Sequence, residues 1–103
     1  MISYEMISDT AARLVIEGRL DMQQAPGLRQ ILGEARDRGA RDLRLSMSAV
    51  EFMDSAGLAA LVSGLKQAKN NGGSLIIENP SPAVRKVLEL TLLDKVIPIE
   101  EGA

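Results

Sequence analysis

Between Asp42 and Met47 polar and apolar residues alternate without a break: Leu43, Leu45 and Met47 fall on one side, and Asp42, Arg44 and Ser46 on the other. Period two marks a strand, and a single polar side marks it as half-buried. A central strand covered by helices on both faces would be apolar nearly throughout. This segment therefore favours a sheet with its helices gathered mainly on one face. Stretches with helical spacing flank it. Leu28, Ile31, Leu32 and Ala35 fall at i, i+3, i+4 and i+7, with Pro26 inside the first turn, where its missing N–H does least harm, and Gly39 to end the helix. Leu58, Leu61, Val62 and Leu65 repeat the pattern in a helix that runs to Lys69 and closes at Asn70-Asn71-Gly72-Gly73.

Ahead of the first helix, Ile2 to Ile7 and Arg13 to Leu20 are β-favouring stretches separated by Ser8-Asp9-Thr10, which predicts an antiparallel hairpin. Gly18 marks a bulge or a close backbone approach. After the second helix, Leu75 to Glu78 reads as a fourth strand. Ser81-Pro82 opens a helix with the stripe Val84, Val87, Leu88 and Thr91, and Val96 to Ile99 reads as a short fifth strand. The order is ββαβαβα with a closing β, an α/β fold built on a small open mixed sheet of four or five strands. Residues 1–103 make one domain by length.

Composition removes several chemistries. The chain has no cysteine and no histidine, so thiol or imidazole nucleophile systems and the usual zinc sites are excluded. No Walker loop or dinucleotide fingerprint is present, and no cofactor or metal is expected. A net charge of -2 gives no general attraction for nucleic acid, and the basic run Arg36 to Arg44 is interleaved with Asp37 and Asp42 as on a solvated surface. No apolar run approaches the roughly 18 residues that a membrane span needs, and the first residues lack a signal-peptide pattern. The expected location is the cytoplasm, without direct membrane insertion.

Working surfaces of such sheets lie at strand carboxyl ends. Two segments there are informative: Leu20-Asp21-Met22 after the second strand, and Phe52-Met53-Asp54-Ser55-Ala56-Gly57 after the third. Parallel pairing of those strands would open both at one edge. Either Asp54 or Ser55 can cap the second helix. Gly57 costs that helix about 1 kcal/mol relative to Ala, which close approach of another backbone would explain. Asp21 caps the first helix or faces a partner, and Met22, Phe52 and Met53 are either surface or core. Asp21 with Asp54 is the only carboxylate pair that could serve an enzyme, and it lacks a supporting constellation.

Three features together identify a family resemblance: Phe52-Met53-Asp54-Ser55-Ala56-Gly57-Leu58 between strand and helix, Gly18-Arg19-Leu20-Asp21 after the second strand, and Gly72-Gly73 followed by a strand and Ser81-Pro82-Ala83-Val84. The chain resembles the STAS domains of the anti-sigma factor antagonist type, over nearly its whole length. Many members carry Ser or Thr where Ala56 stands, and Asp or Asn where Ser46 stands. The resemblance implies a non-enzymatic phosphoprotein in which Ser55 is the phosphate acceptor. Its dephosphorylated form would bind an anti-sigma factor that is itself a serine kinase carrying the ATP, thereby freeing a sigma factor. Phosphorylation would release that partner, and a serine phosphatase would reset the switch. The expected partner surface is Asp21, Met22, Phe52, Met53, Asp54, Ser55, Ala56, Gly57 and Leu58. STAS subunits of lipid-transport complexes or stress-signalling scaffolds offer the alternative role, with Ser55 an unphosphorylated contact.

A phosphate on Ser55 would add roughly -1.5 to -2 charges at neutral pH. At a helix N-terminus each unit of charge is favourable by roughly 0.3 to 1 kcal/mol. Across an interface, two like charges about 4 Å apart repel by about 4 kcal/mol at an effective dielectric near 20. Binding, and not folding, is the property expected to switch.

Overall fold

The computed structural model describes residues 1–102 of the chain. A hairpin of β1 (Ile2–Met6) and β2 (Ala11–Leu20) leads to α1 (Ala25–Asp37), β3 (Asp42–Met53), α2 (Ser55–Asn70), β4 (Ser74–Glu78), α3 (Pro82–Leu90), a 3-10 turn (Leu93–Lys95) and β5 (Ile99–Glu100). The strands form one sheet in the order β1-β2-β3-β4-β5. β1 pairs antiparallel to β2, and every later pairing is parallel. The mixed open α/β sheet expected from the sequence is what forms.

Alternation decides which face is covered. Ala12, Leu14, Ile16 and Leu20 of β2, Leu43, Leu45 and Met47 of β3, and Leu75 and Ile77 of β4 point into one core with Leu28, Leu32, Leu61, Leu65, Val84 and Leu88 from the helices. The opposite face carries ions. There Arg13 and Arg44 both pair with Glu78 at 3.0 Å, and Arg44 also reaches Glu100 at 3.0 Å, so one charge chain ties β2, β3, β4 and β5. Guanidinium hydrogen bonds from Arg13 and Arg44, outweighing partial desolvation, hold the Glu78 carboxyl below its ordinary value.

β3 is longer than its sequence pattern shows. Alternation runs to Met47, after which the buried positions come every third residue, at Val50 and Met53. The register explains the change. Val15 pairs with Ser46 but Glu17 with Ala49, and Gly18 pairs with Val50 but Arg19 with Phe52, so β3 holds one extra residue at each of two bulges. Gly18 lies opposite this irregular stretch with φ +83, and a side chain there would meet open space, which selects the bulge and not the close approach. Phe52 and Met53 therefore belong to the strand, and not to a loop.

Two smaller expectations also change. The last strand is Ile99–Glu100 instead of Val96–Ile99, because residues 93–95 coil into a 3-10 turn, Pro98 has no N–H to donate, and pairing begins only where Ile77 N–H reaches Pro98 O and Asn79 N–H reaches Glu100 O. Thr91 leaves the core stripe of α3. It stands at the helix end, exposed, with its hydroxyl donating to Val87 O at 2.8 Å.

Candidate functional site

Because β2 and β3 run parallel with Leu20 opposite Met53, their carboxyl ends finish side by side. The chain leaves β3 for α2 through one residue, Asp54, whose extended backbone ends the strand and whose side chain begins the helix. Asp54 Oδ1 accepts from the N–H groups of Ala56 and Gly57, both at 3.0 Å. Its other oxygen, Oδ2, accepts from Met22 N–H at 3.1 Å, across to the segment that follows β2. The cap is Asp54 and not Ser55. One carboxylate thus fastens both segments of the edge.

Gly57 supplies the second fastening. A Cβ at this position would lie 2.2 Å from Leu20 O, so helix and strand touch backbone to backbone and only glycine fits. The close approach expected from its helix cost is present. On the other side of the edge, Asp21 Oδ1 accepts from the N–H groups of Gln23 at 3.0 Å and Gln24 at 3.2 Å. Asp21 closes the turn before α1, while Gln24 occupies the N-cap position itself without a side-chain bond. Partial desolvation works against ionisation of Asp21, but the Gln24 and Gln23 N–H groups and the Arg19 guanidinium prevail and hold its carboxyl below the usual range.

The remaining expected site residues divide between surface and core. Ser55 is exposed at the first position of α2, with Ala56 and Leu58 half-buried beside it. Met22 is 72% exposed and Phe52 38%. Met53 is corrected from partner surface to core, since it faces inward beside Leu20 and is 4% exposed. Gly57 is corrected likewise: it is buried against Leu20 and shapes the edge without presenting a surface.

Arg19 belongs to this edge although its side chain was not among the expected site residues. Its guanidinium carbon stands 4.1 Å from the centroid of the Phe52 ring, and Nε lies 3.4 Å from Asp21 Oδ2. Its signal was the register: a β3 continued through Phe52 puts that residue opposite Arg19. No group of acidic residues suited to a metal ion occurs among the described residues. No helix of the described chain is long and apolar enough to cross a membrane.

The STAS domain family model matches residues 6–102. The anti-sigma-B factor antagonist of Bacillus subtilis is 39% identical over 84 residues, which cover 82% of this chain and 76% of that protein. A solved anti-sigma factor antagonist from Mycobacterium paratuberculosis superimposes with a TM-score of 0.79 at 30% identity, covering 96% of this chain and 85% of that one. The Bacillus cell fate determinant SpoIIAA in its phosphorylated form gives a TM-score of 0.81 at 21% identity, over 100% of this chain and 92% of its own, a likeness of fold.

Proposed function

The chain belongs to the STAS domain family, and on that premise we propose that it is an anti-sigma factor antagonist working by partner switching. Its unphosphorylated form captures an anti-sigma factor and so frees a sigma factor. Phosphorylation of Ser55 by that partner, a serine kinase that carries the ATP, ends the capture, and a serine phosphatase restores it. Residues 1–103 act as one STAS domain in the cytoplasm, with no catalytic step and no cofactor of their own.

The observation that carries this reading is an exposed Ser55 at a helix start whose cap bonds are made by Asp54 instead. Asp54 makes the cap bonds, the link to Met22 and the turn into α2, so the neighbouring hydroxyl is left for a visiting active site. A phosphate on Ser55 would find the Ala56 and Gly57 N–H groups already taken by Asp54. Its charge is then directed toward whatever docks at the edge, and a partner fitted to a neutral hydroxyl must desolvate a dianion. Even 2 kcal/mol of the expected repulsion, about half of the Coulomb figure, exceeds tenfold in affinity.

Binding of a candidate anti-sigma kinase to the wild type, Ser55→Ala and Ser55→Asp tests the proposal. Tight binding by the first two and a loss of more than about tenfold for Ser55→Asp is expected. Equal affinity for all three rejects the switch.

A further inference from the structure

The carboxylates at this edge are already committed inward. Both oxygens of Asp54 are taken, by the Ala56 and Gly57 N–H groups on one side and Met22 N–H on the other. Asp21 is taken by Gln23, Gln24 and Arg19. What the edge turns outward is different in character: the thioether of Met22, the ring of Phe52, and a cation. The Arg19 side chain is 60% exposed, and its one ionic partner, Asp21, is reached through Nε. Neither Nη has an acceptor among the described residues. The guanidinium is also held in place, by the Phe52 ring at 4.1 Å and by Asp21 at 3.4 Å.

A planar cation fixed on an aromatic ring, with its Nη fork unoccupied, matches a carboxylate in both charge and geometry. We propose that Arg19 is the specificity-determining residue of this surface, and that its Nη fork receives an Asp or Glu side chain of the anti-sigma factor while Phe52 and Met22 receive apolar groups around it. The inference rests on the partner-switching reading and adds the chemistry of the partner. It also gives the switch a second component. A phosphate on Ser55 repels the incoming carboxylate at the same edge where Arg19 attracts it.

The test is binding of purified candidate anti-sigma kinase to the wild type, Arg19→Gln, Arg19→Lys and Phe52→Leu across a range of salt concentrations, with a thermal melt of each variant to confirm folding. Arg19→Gln should lose roughly ten- to hundredfold in affinity, the range of one charge-assisted hydrogen-bonded contact. It should also flatten the dependence on salt, because the screened charge pair is gone. Arg19→Lys should keep that salt dependence and lose less affinity, since charge remains without the fork. Phe52→Leu should weaken binding with the salt dependence intact. Unchanged affinity in Arg19→Gln overturns the proposal, and so does weakened binding with unaltered salt dependence, which would make Arg19 a prop for Phe52. A wild type that binds no anti-sigma kinase overturns the functional reading and this inference together, an outcome distinct from either.

Discussion

Asp54 and Met22, on segments that follow different strands, are joined by one hydrogen bond of 3.1 Å from the Met22 N–H to Asp54 Oδ2. The same carboxylate holds the first turn of α2 through Oδ1. Replacing Asp54 by Ala removes both connections. The loss of the cap alone costs about 0.5–2 kcal/mol, and a thermal melt should show the midpoint falling by roughly 4–8 °C for each kcal/mol in a domain of this size. Asp54→Asn keeps an acceptor at the cap and should lose less.

Two glycines in helices predict opposite outcomes on substitution by alanine. At Gly57 the new methyl meets Leu20 O at 2.2 Å, so strand and helix must separate, with a destabilisation of about 1–3 kcal/mol or more. At Gly33, inside α1, the nearest atom is a guanidinium nitrogen of Arg36 at 3.7 Å, an ordinary van der Waals distance. Gly33→Ala should therefore stabilise by about 0.5–1 kcal/mol, the helix propensity difference. Urea titration of both variants checks the sign of each.

Acid should weaken the fold through Glu78. Its folded-state pKa lies below the ordinary value of 4.5 because Arg13 and Arg44 favour the carboxylate. Its contribution is therefore complete above that value and is lost as pH falls through the folded pKa. Glu78→Gln should cost about 1 kcal/mol at neutral pH, a modest figure because Arg13 is 41% exposed. The decline in melting temperature below about pH 4.5 should be shallower in that variant than in the wild type.

Ser55→Asp should leave the melting temperature nearly unchanged, within about 0.5 kcal/mol of the wild type. The favourable helix-end position of the new charge is offset by its neighbour Asp54, which already occupies the cap. A melt that shifts by much more would move the effect of the charge from binding to folding.

Much of this architecture was legible because its signals are local. The hairpin, both long helical stripes and the one-sided sheet follow from residue periodicity, and Gly57 announced a close contact through its cost to the helix. Where β3 ends was hidden by its bulges: each extra residue breaks the two-residue period, so Val50 to Met53 no longer reads as strand although it pairs with β2. That break in period left Met53 open to either surface or core from the sequence. It also concealed Arg19, whose partner Phe52 is identified only by register. The choice between Asp54 and Ser55 as cap lay beyond the sequence, since both residue types are good N-caps and differ only in whether the helix starts one residue earlier or later.

The contact between Leu20 O and Gly57 has a bearing on how fast and how tightly anything can dock there. Gly57 brings no side chain of its own to the contact, so the helix start packs on the strand backbone with no Gly57 rotamer to rearrange when something docks. A visiting protein then loses little entropy in ordering this contact, and affinity is set by the side chains on top. On the proposed reading, a charge added at Ser55 would then register in the docking of a partner and not in the joint between strand and helix.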